Sequence, residues 1–218
     1  MSLIDNLIKD GWLKTPRIID AFRKIKRVDF MPASPDSRAS RGGPEDMKHL
    51  AELNEALPIG YGQTISQPLV VAFMIEQLQP EQGDKILDIG SGSGWTTSLL
   101  AHIVGDKGKV ISIEVVSELK QFGEKNISKY NFLEKGTVEI VCADGSKGHK
   151  KQSPYDKILV SAAVQQEKVP NAWKEQLKID GRIVTPVRSS IWLLIKKSEG
   201  EFEETEFPGF AFVPLIEK

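Results

Sequence analysis

Leu3, Ile4, Leu7 and Ile8 recur at the spacing of one helical face, and Gly11 ends that run. A second amphipathic stretch begins at Thr15-Pro16, with Thr15 as N-cap and Pro16 at the first helical position, and places Ile18, Ile19, Phe22 and Ile25 on its buried side. Residues 31–46, MPASPDSRASRGGPED, are too rich in Pro, Gly and Ser for a regular element, whereas residues 47–53, MKHLAEL, suit a short helix. A third long helix starts near Gln67-Pro68 and turns Leu69, Val70, Phe73, Met74 and Leu78 inward. After it the pattern alternates between short apolar runs and helical spacing. KILDI (85–89), KVISIE (109–114), TVEIVCAD (137–144), YDKILVSAA (155–163) and GRIVTPV (181–187) read as strands. WTTSLLAHIV (95–104), a stretch through Leu119, Phe122 and Ile127, and NAWKEQL (171–177) read as helices. In the tail, SIWLLIKK (190–197) and FAFVPLI (210–216) read as strands around an acidic turn, EGEFEETEF (199–207).

Alternating strands and helices imply an α/β fold with a doubly wound, mostly parallel sheet covered on both faces. The helix-free tail adds an antiparallel C-terminal hairpin at one edge, and the opening adds N-terminal helices. The whole of residues 1–218 is expected to form one domain, with the helical segment 1–56 packing on a core of 57–218.

Composition narrows the function. Of 218 residues, 40% are hydrophobic and 27% charged, which suffices for a core inside an ordinary polar surface. A net charge of −1 gives no global pull toward nucleic acid or anionic lipid. The basic clusters Arg23, Lys24, Lys26, Arg27 and Lys147, His149, Lys150, Lys151 read as solvated faces. One cysteine, Cys142, excludes an intramolecular disulfide framework and a Cys-rich zinc site; following the apolar VEIV, it reads as a buried structural thiol. The opening carries an acid at Asp5 and does not read as a signal peptide, and no run approaches the length of a membrane span. A cytoplasmic monomer is expected, with no membrane or nucleic-acid partner. His49, His102 and His149 fall in no metal-binding or triad pattern, so no metal is expected.

Chemistry concentrates in LDIGSGSGW (87–95), between a strand and its helix, where open α/β sheets bind ligands. Gly90, Gly92 and Gly94 would let backbone amides approach a ligand. A dinucleotide fingerprint needs G-x-G-x-x-G, but Trp95 or Thr97 occupies the third glycine position in either register. No Gly-Lys-Ser/Thr follows either, which excludes a P-loop. Asp88 instead precedes the loop, and a carboxylate there would face a cationic or amine-bearing group. The sulfonium and ammonium of S-adenosylmethionine fit that charge. Glu114 ends the next strand, where a carboxylate can accept both ribose hydroxyls or simply stand at the surface. Asp144-Gly145 ends the strand after that, placed for an adenine amino group or forming a plain turn.

The remaining motif is PIGYGQTISQP (58–68). Together with LDIGSGSGW, VISIE, ADGSKG, YDKILVSAA, GRIVTPV and FVPL, in order from about Leu3 to Leu215, it resembles the protein-L-isoaspartate (D-aspartate) O-methyltransferase family. The glycine cluster marks only a generic methyltransferase; the Gly-Gln-Thr-Ile-Ser-x-Pro loop is the specific signal. The resemblance implies a Rossmann-like class I methyltransferase that uses S-adenosyl-L-methionine and acts on isoaspartyl-containing peptides and proteins. It implies that Gln63, Thr64, Ile65 and Ser66 sit against the cofactor's methionine part and the substrate carboxylate, with Ser66 as the active-site residue. Ser91, Glu114, Val115, Asp144 and Gly145 match further cofactor contacts. Ser66 also suits a helix N-cap before Gln67-Pro68, and the two roles can coexist.

A carboxylate acceptor is already an anionic nucleophile, so its methylation calls for placement and dehydration rather than a general base. The lack of any histidine-centred catalytic pattern agrees. Asn54 and Ala56 stand where the family usually has Asp and Pro, Arg188 where glycine is usual, and Phe210-Ala211 in the segment that helps cradle substrate. These departures leave two alternatives: a relative that methylates a different protein carboxylate, and a non-catalytic S-adenosylmethionine-binding protein.

Overall fold

The structure, a computed structural model, describes residues 2–32 and 50–217. Most of the proline- and serine-rich connector, the start of the short helix expected at 47–53, and His49 lie outside the described residues; Leu50 and Ala51 are helical. The chain opens with α1 (Leu3–Lys9) and α2 (Pro16–Lys24). A small antiparallel ribbon follows, β1 (Leu57–Gly60) paired with β2 (Gln63–Ile65), and leads into α3 (Pro68–Leu78). The alternating region supplies β3 (Lys85–Ile89), α4 (Trp95–Val104), β4 (Lys109–Glu114), α5 (Ser117–Ser128), β5 (Val138–Cys142), β6 (Tyr155–Val160), α6 (Asn171–Glu175) and β7 (Leu177–Val187). Two strands complete it, β8 (Ser190–Ser198) and β9 (Glu201–Pro208).

Seven strands form one sheet in the order β5-β4-β3-β6-β7-β8-β9. The first five run parallel, and β8 and β9 are added antiparallel. Chain order reverses between β3 and β6, so a crevice opens at the carboxyl ends of those strands.

The strand pleat sorts side chains into two cores. Ile86, Val110, Leu159 and Val184 face one core, which also takes Leu7, Ile18 and Phe22 from the N-terminal helices and Val71 and Ile75 from α3. Leu87, Ile89, Ile111, Ile113 and Val160 face the other. That second face is covered by a thinner layer, in which Trp173 of α6 and Tyr155 are fully buried. Runs that are apolar on both faces, such as β3 and β4, have boundaries identical to those expected from sequence.

Four expectations need correction. The acidic segment is not a turn: apart from Glu199-Gly200 it forms β9, the edge strand, with Glu201, Glu203, Glu204 and Glu206 exposed. FAFVPLI is not a strand but an extended segment, fastened where Ala163 N–H donates to the Val213 carbonyl (2.8 Å) and Leu215 N–H to the Ala163 carbonyl (2.8 Å). Cys142 is exposed rather than buried, because β5 is the opposite edge of the sheet. Thr15 occupies the N-cap of α2 without capping it; its hydroxyl donates instead to Glu76 Oε2 at 2.7 Å.

Arg188, in the tight connection from β7 to β8, has φ 54°. This left-handed backbone costs a side-chain-bearing residue about 1–2 kcal/mol, and glycine avoids it. The Arg188–Glu167 ion pair (3.2 Å) is exposed at both ends and offsets little of that. Arg188→Gly is therefore expected to raise the melting temperature by about 2 °C, after allowance for glycine's greater freedom in the unfolded chain. Thermal unfolding by circular dichroism checks this, and a lowered melting temperature would refute it.

Candidate active site

A cavity lies on the crevice at the carboxyl ends of β3, β4 and β6. Its empty space, about 720 Å³, includes the open solvent of its mouth. The floor is the loop after β3, including Gly90, Ser91 and Gly92; one wall is Glu114 and Val115 after β4, with Ala143 and Gly145 beyond β5. Gln63, Thr64, Ile65 and Ser66 form the opposite wall, together with Ser161 after β6 and the fastened segment Val213–Ile216.

Local chemistry explains this shape. Gly94 starts α4 at φ 85°, and a Cβ on it would come within 2.8 Å of Ile127 Cγ1. Asn126 Nδ2 donates to the Ser93 carbonyl (3.0 Å), pinning the same loop to α5. Gly145 allows an equally close approach: a Cβ there would lie 2.4 Å from Ile89 Cγ2. Glu114 ties the walls together. Its Oε2 accepts the Gly92 N–H at 2.9 Å, and its Oε1 accepts the N–H groups of Val115 (2.9 Å) and Val116 (3.0 Å).

Of the thirteen site residues expected from sequence, ten line this cavity and three do not. Gly94 lies just behind it as the start of α4. Asp144 turns its carboxylate toward the following turn, where Oδ1 accepts from Ser146 N (2.9 Å) and Ser146 Oγ (2.7 Å) and Oδ2 pairs with Lys147 Nζ (3.1 Å). Asp88 is the largest departure. Its pleat position, shared with Ile86, points it at α4 rather than at the cavity. There it is fully buried and accepts the Thr97 hydroxyl (2.5 Å), which in turn lies 3.1 Å from Ser112 Oγ. Burial pushes its carboxyl up to about 6; the Thr97 and Ser112 hydroxyls oppose the rise and the Glu114 charge adds to it.

Ser66 does not cap α3. Gln67 occupies the cap position without a side-chain bond, and the amide oxygen of Asn54 accepts the Leu69 N–H at 2.9 Å. A second cavity adjoins the first, and Thr64, Ser66, Ser161 and Val213 line both. Ala56, Gln67, Val70, Ala211 and Phe212 complete it. Ser161, Trp95, Thr96 and the 213–216 segment were not expected from sequence as site residues. Ser161 carried a usable signal, since it directly follows a strand end in the alternating region.

The donor set fits S-adenosylmethionine. Glu114 is the only charged side chain on the first cavity among the described residues, which suits a sulfonium and repels a polyphosphate. The Ser91 hydroxyl is buried on the cavity wall without a hydrogen-bond partner, as a group awaiting a polar ligand would be. The adjoining cavity has no charged lining residue among those described, only hydroxyl, amide and apolar groups.

Comparison with known proteins agrees. The chain is 37% identical over 218 residues to a protein-L-isoaspartate O-methyltransferase of Methanopyrus kandleri, covering 98% of this chain and 89% of that one. It is 40% identical over 202 residues to protein-L-isoaspartate O-methyltransferase 2 of Archaeoglobus fulgidus, covering 91% and 84%. A Plasmodium falciparum protein assigned to the same activity, crystallised with S-adenosyl-L-homocysteine, superposes with a TM-score of 0.83 at 20% identity, covering 99% of this chain and 97% of the other, which shows a shared fold. The family model for protein-L-isoaspartate (D-aspartate) O-methyltransferase matches residues 1–218, and the chain belongs to that family.

Proposed function

We propose that this protein methylates the α-carboxyl of L-isoaspartyl and D-aspartyl residues in damaged proteins, with S-adenosyl-L-methionine as donor, and so initiates repair through a succinimide. The observation that carries the reading is the meeting of two cavities at Ser66, one suited to a cationic cofactor and one uncharged and suited to a peptide carboxylate. When bound, the cofactor supplies an electrophilic methyl group on a sulfonium. The Gly90–Gly92 backbone, Ser91 and Glu114 would hold it.

Chemistry on the acceptor side belongs to the chain's own groups. A carboxylate entering the second cavity exchanges water for the hydroxyls of Thr64, Ser66 and Ser161, next to Val70, Phe212 and Val213. Neutral donors orient it without quenching its nucleophilicity, as a guanidinium would. No proton needs to be removed, consistent with the absence of a carboxylate or histidine among the described lining residues. The same reading has the protein act as a monomeric single domain in the cytoplasm, on peptides rather than nucleic acid. A net charge of −1 and a single exposed cysteine support it, and no helix among the described residues is long and apolar enough to cross a membrane.

The decisive assay measures labelled methyl incorporation into an isoaspartyl peptide and its aspartyl twin. Label is expected in the first only; equal labelling of both, or none, rejects the reaction. Ser66→Ala is expected to lower kcat/KM about 10- to 100-fold, the worth of one hydrogen bond to a charged group, while S-adenosylhomocysteine affinity stays within about threefold.

A further inference from the structure

Arg27, expected from sequence to share a solvated face with Arg23, Lys24 and Lys26, is instead a buried cation. It lies just after α2, is only 6% exposed, and has no carboxylate hydrogen-bonded to it among the described residues. Its guanidinium donates to four backbone carbonyls. Nη1 reaches Ala51 (3.2 Å) and Leu53 (3.0 Å), and Nη2 reaches Glu55 (2.7 Å) and Ser66 (3.2 Å). The same group sits over the indole of Trp95, 5.5 Å from the ring centroid, and Trp95 lines the cofactor cavity.

Three of those carbonyls hold the 51–55 segment, and that segment presents Asn54. Its amide oxygen takes the N–H of Leu69, three residues beyond Ser66. Ser66 is thus gripped on both sides: Arg27 holds its own carbonyl, and the segment that Arg27 fastens caps the helix immediately after it.

We propose that Arg27 and Asn54 are positioning residues for the methyl-transfer step, together setting the Ser66 hydroxyl in the acceptor cavity. This inference rests on the reaction proposed above. A planar fork with several fixed donors can bind carbonyls from two chain segments at once. A lysine has one flexible ammonium and cannot span both. Displacement of a reacting group by even about 1 Å costs on the order of a hundredfold in rate, so slack in this grip should appear in turnover before it appears in cofactor binding.

The test uses the full chain with Arg27→Lys, Asn54→Ala, Asn54→Asp and the Arg27→Lys/Asn54→Ala pair. For each, kcat and KM on an isoaspartyl peptide are measured beside S-adenosylhomocysteine affinity by calorimetry. Arg27→Lys keeps the charge and is expected to lower kcat about 30-fold, with cofactor affinity within about threefold of the parent. Asn54→Ala should lower kcat about tenfold, and Asn54→Asp, which retains an acceptor at a helix N-terminus, should recover most of it. Because both act on one hydroxyl, the pair should lose less than the product of the single losses.

Amide hydrogen exchange at Leu69 gives an independent reading, with faster exchange expected in Arg27→Lys than in the parent. Full kcat in Arg27→Lys, a loss matched by an equal loss of cofactor affinity, or unchanged Leu69 exchange would overturn the proposal. Should the parent fail to methylate the isoaspartyl peptide, the reaction assignment fails, and Leu69 exchange still decides whether Arg27 fastens this loop.

Discussion

Glu114→Gln is expected to weaken S-adenosylhomocysteine binding about a hundredfold and to cost roughly 2–3 kcal/mol of stability. The carboxylate accepts three backbone N–H groups, one from the glycine loop and two from the start of the next connection. Hydrogen bonds to a charged acceptor are worth about 1.5–3 kcal/mol each. Glutamine has a single oxygen. Whichever way its amide turns, an NH₂ group faces either Gly92 N–H or the paired N–H groups of Val115 and Val116. At a residue only 6% exposed, water cannot make good the loss. The loop then loses its tether to the strand that carries the cofactor wall. Calorimetric titration and denaturant unfolding measure the two effects. An affinity within threefold of the parent would show that Glu114 holds neither the loop nor the ligand.

The second large effect is a dependence of stability on pH that runs opposite to the usual carboxylate pattern. Asp88 titrates at about 6 in the folded protein against an ordinary 3.8. Between those values the folded chain keeps a proton that the unfolded chain has released. The group's contribution is therefore fully present below about pH 4 and is lost as pH rises through 6, a difference of ~3 kcal/mol. An asparagine in the same place has no charge to bury. Asp88→Asn should gain on the parent by about that amount between pH 4 and pH 7, whatever other groups titrate in both proteins. Denaturant unfolding at a series of pH values measures this, and a parent-minus-variant difference that stays flat across the window would refute it.

Legibility in the sequence followed burial. β3, β4 and α4 were readable to the residue because each is enclosed by neighbours and carries an uninterrupted apolar signal. The two edges were misread for one reason. β9 needs little apolar content when solvent covers one side, so its glutamates looked like a turn; at the other edge Cys142 looked buried because its apolar neighbours did. FAFVPLI carries strand-like residues because it packs a cavity wall, not because it pairs in a ladder.

Within the site, residues on a glycine-rich loop or at a strand end in the alternating region, Glu114, Val115 and Gly145 among them, are legible, whereas those brought in by long-range contacts are not. Gln63–Ser66 and Gly90–Gly92 announce themselves by local composition. Nothing local shows that Val213–Ile216 folds back against Ala163, or that the Arg27 guanidinium reaches the Ser66 carbonyl. Asp88 was misdirected by a matter of parity: in a pleated strand, a residue preceding a binding loop has two faces to choose from, and here the neighbouring helix claims it.

The acidic character of β9 has a consequence beyond the single molecule. A sheet with an open border invites another chain to extend it, the first event in fibril growth. Glu201, Glu203, Glu204 and Glu206 crowd that border, Glu203 and Glu204 paired with Lys197 (2.7 Å) and Lys174 (3.1 Å), and these charges would have to be desolvated before a second copy could add a strand. Charged side chains along an open border thus work against strand addition by another copy of the chain.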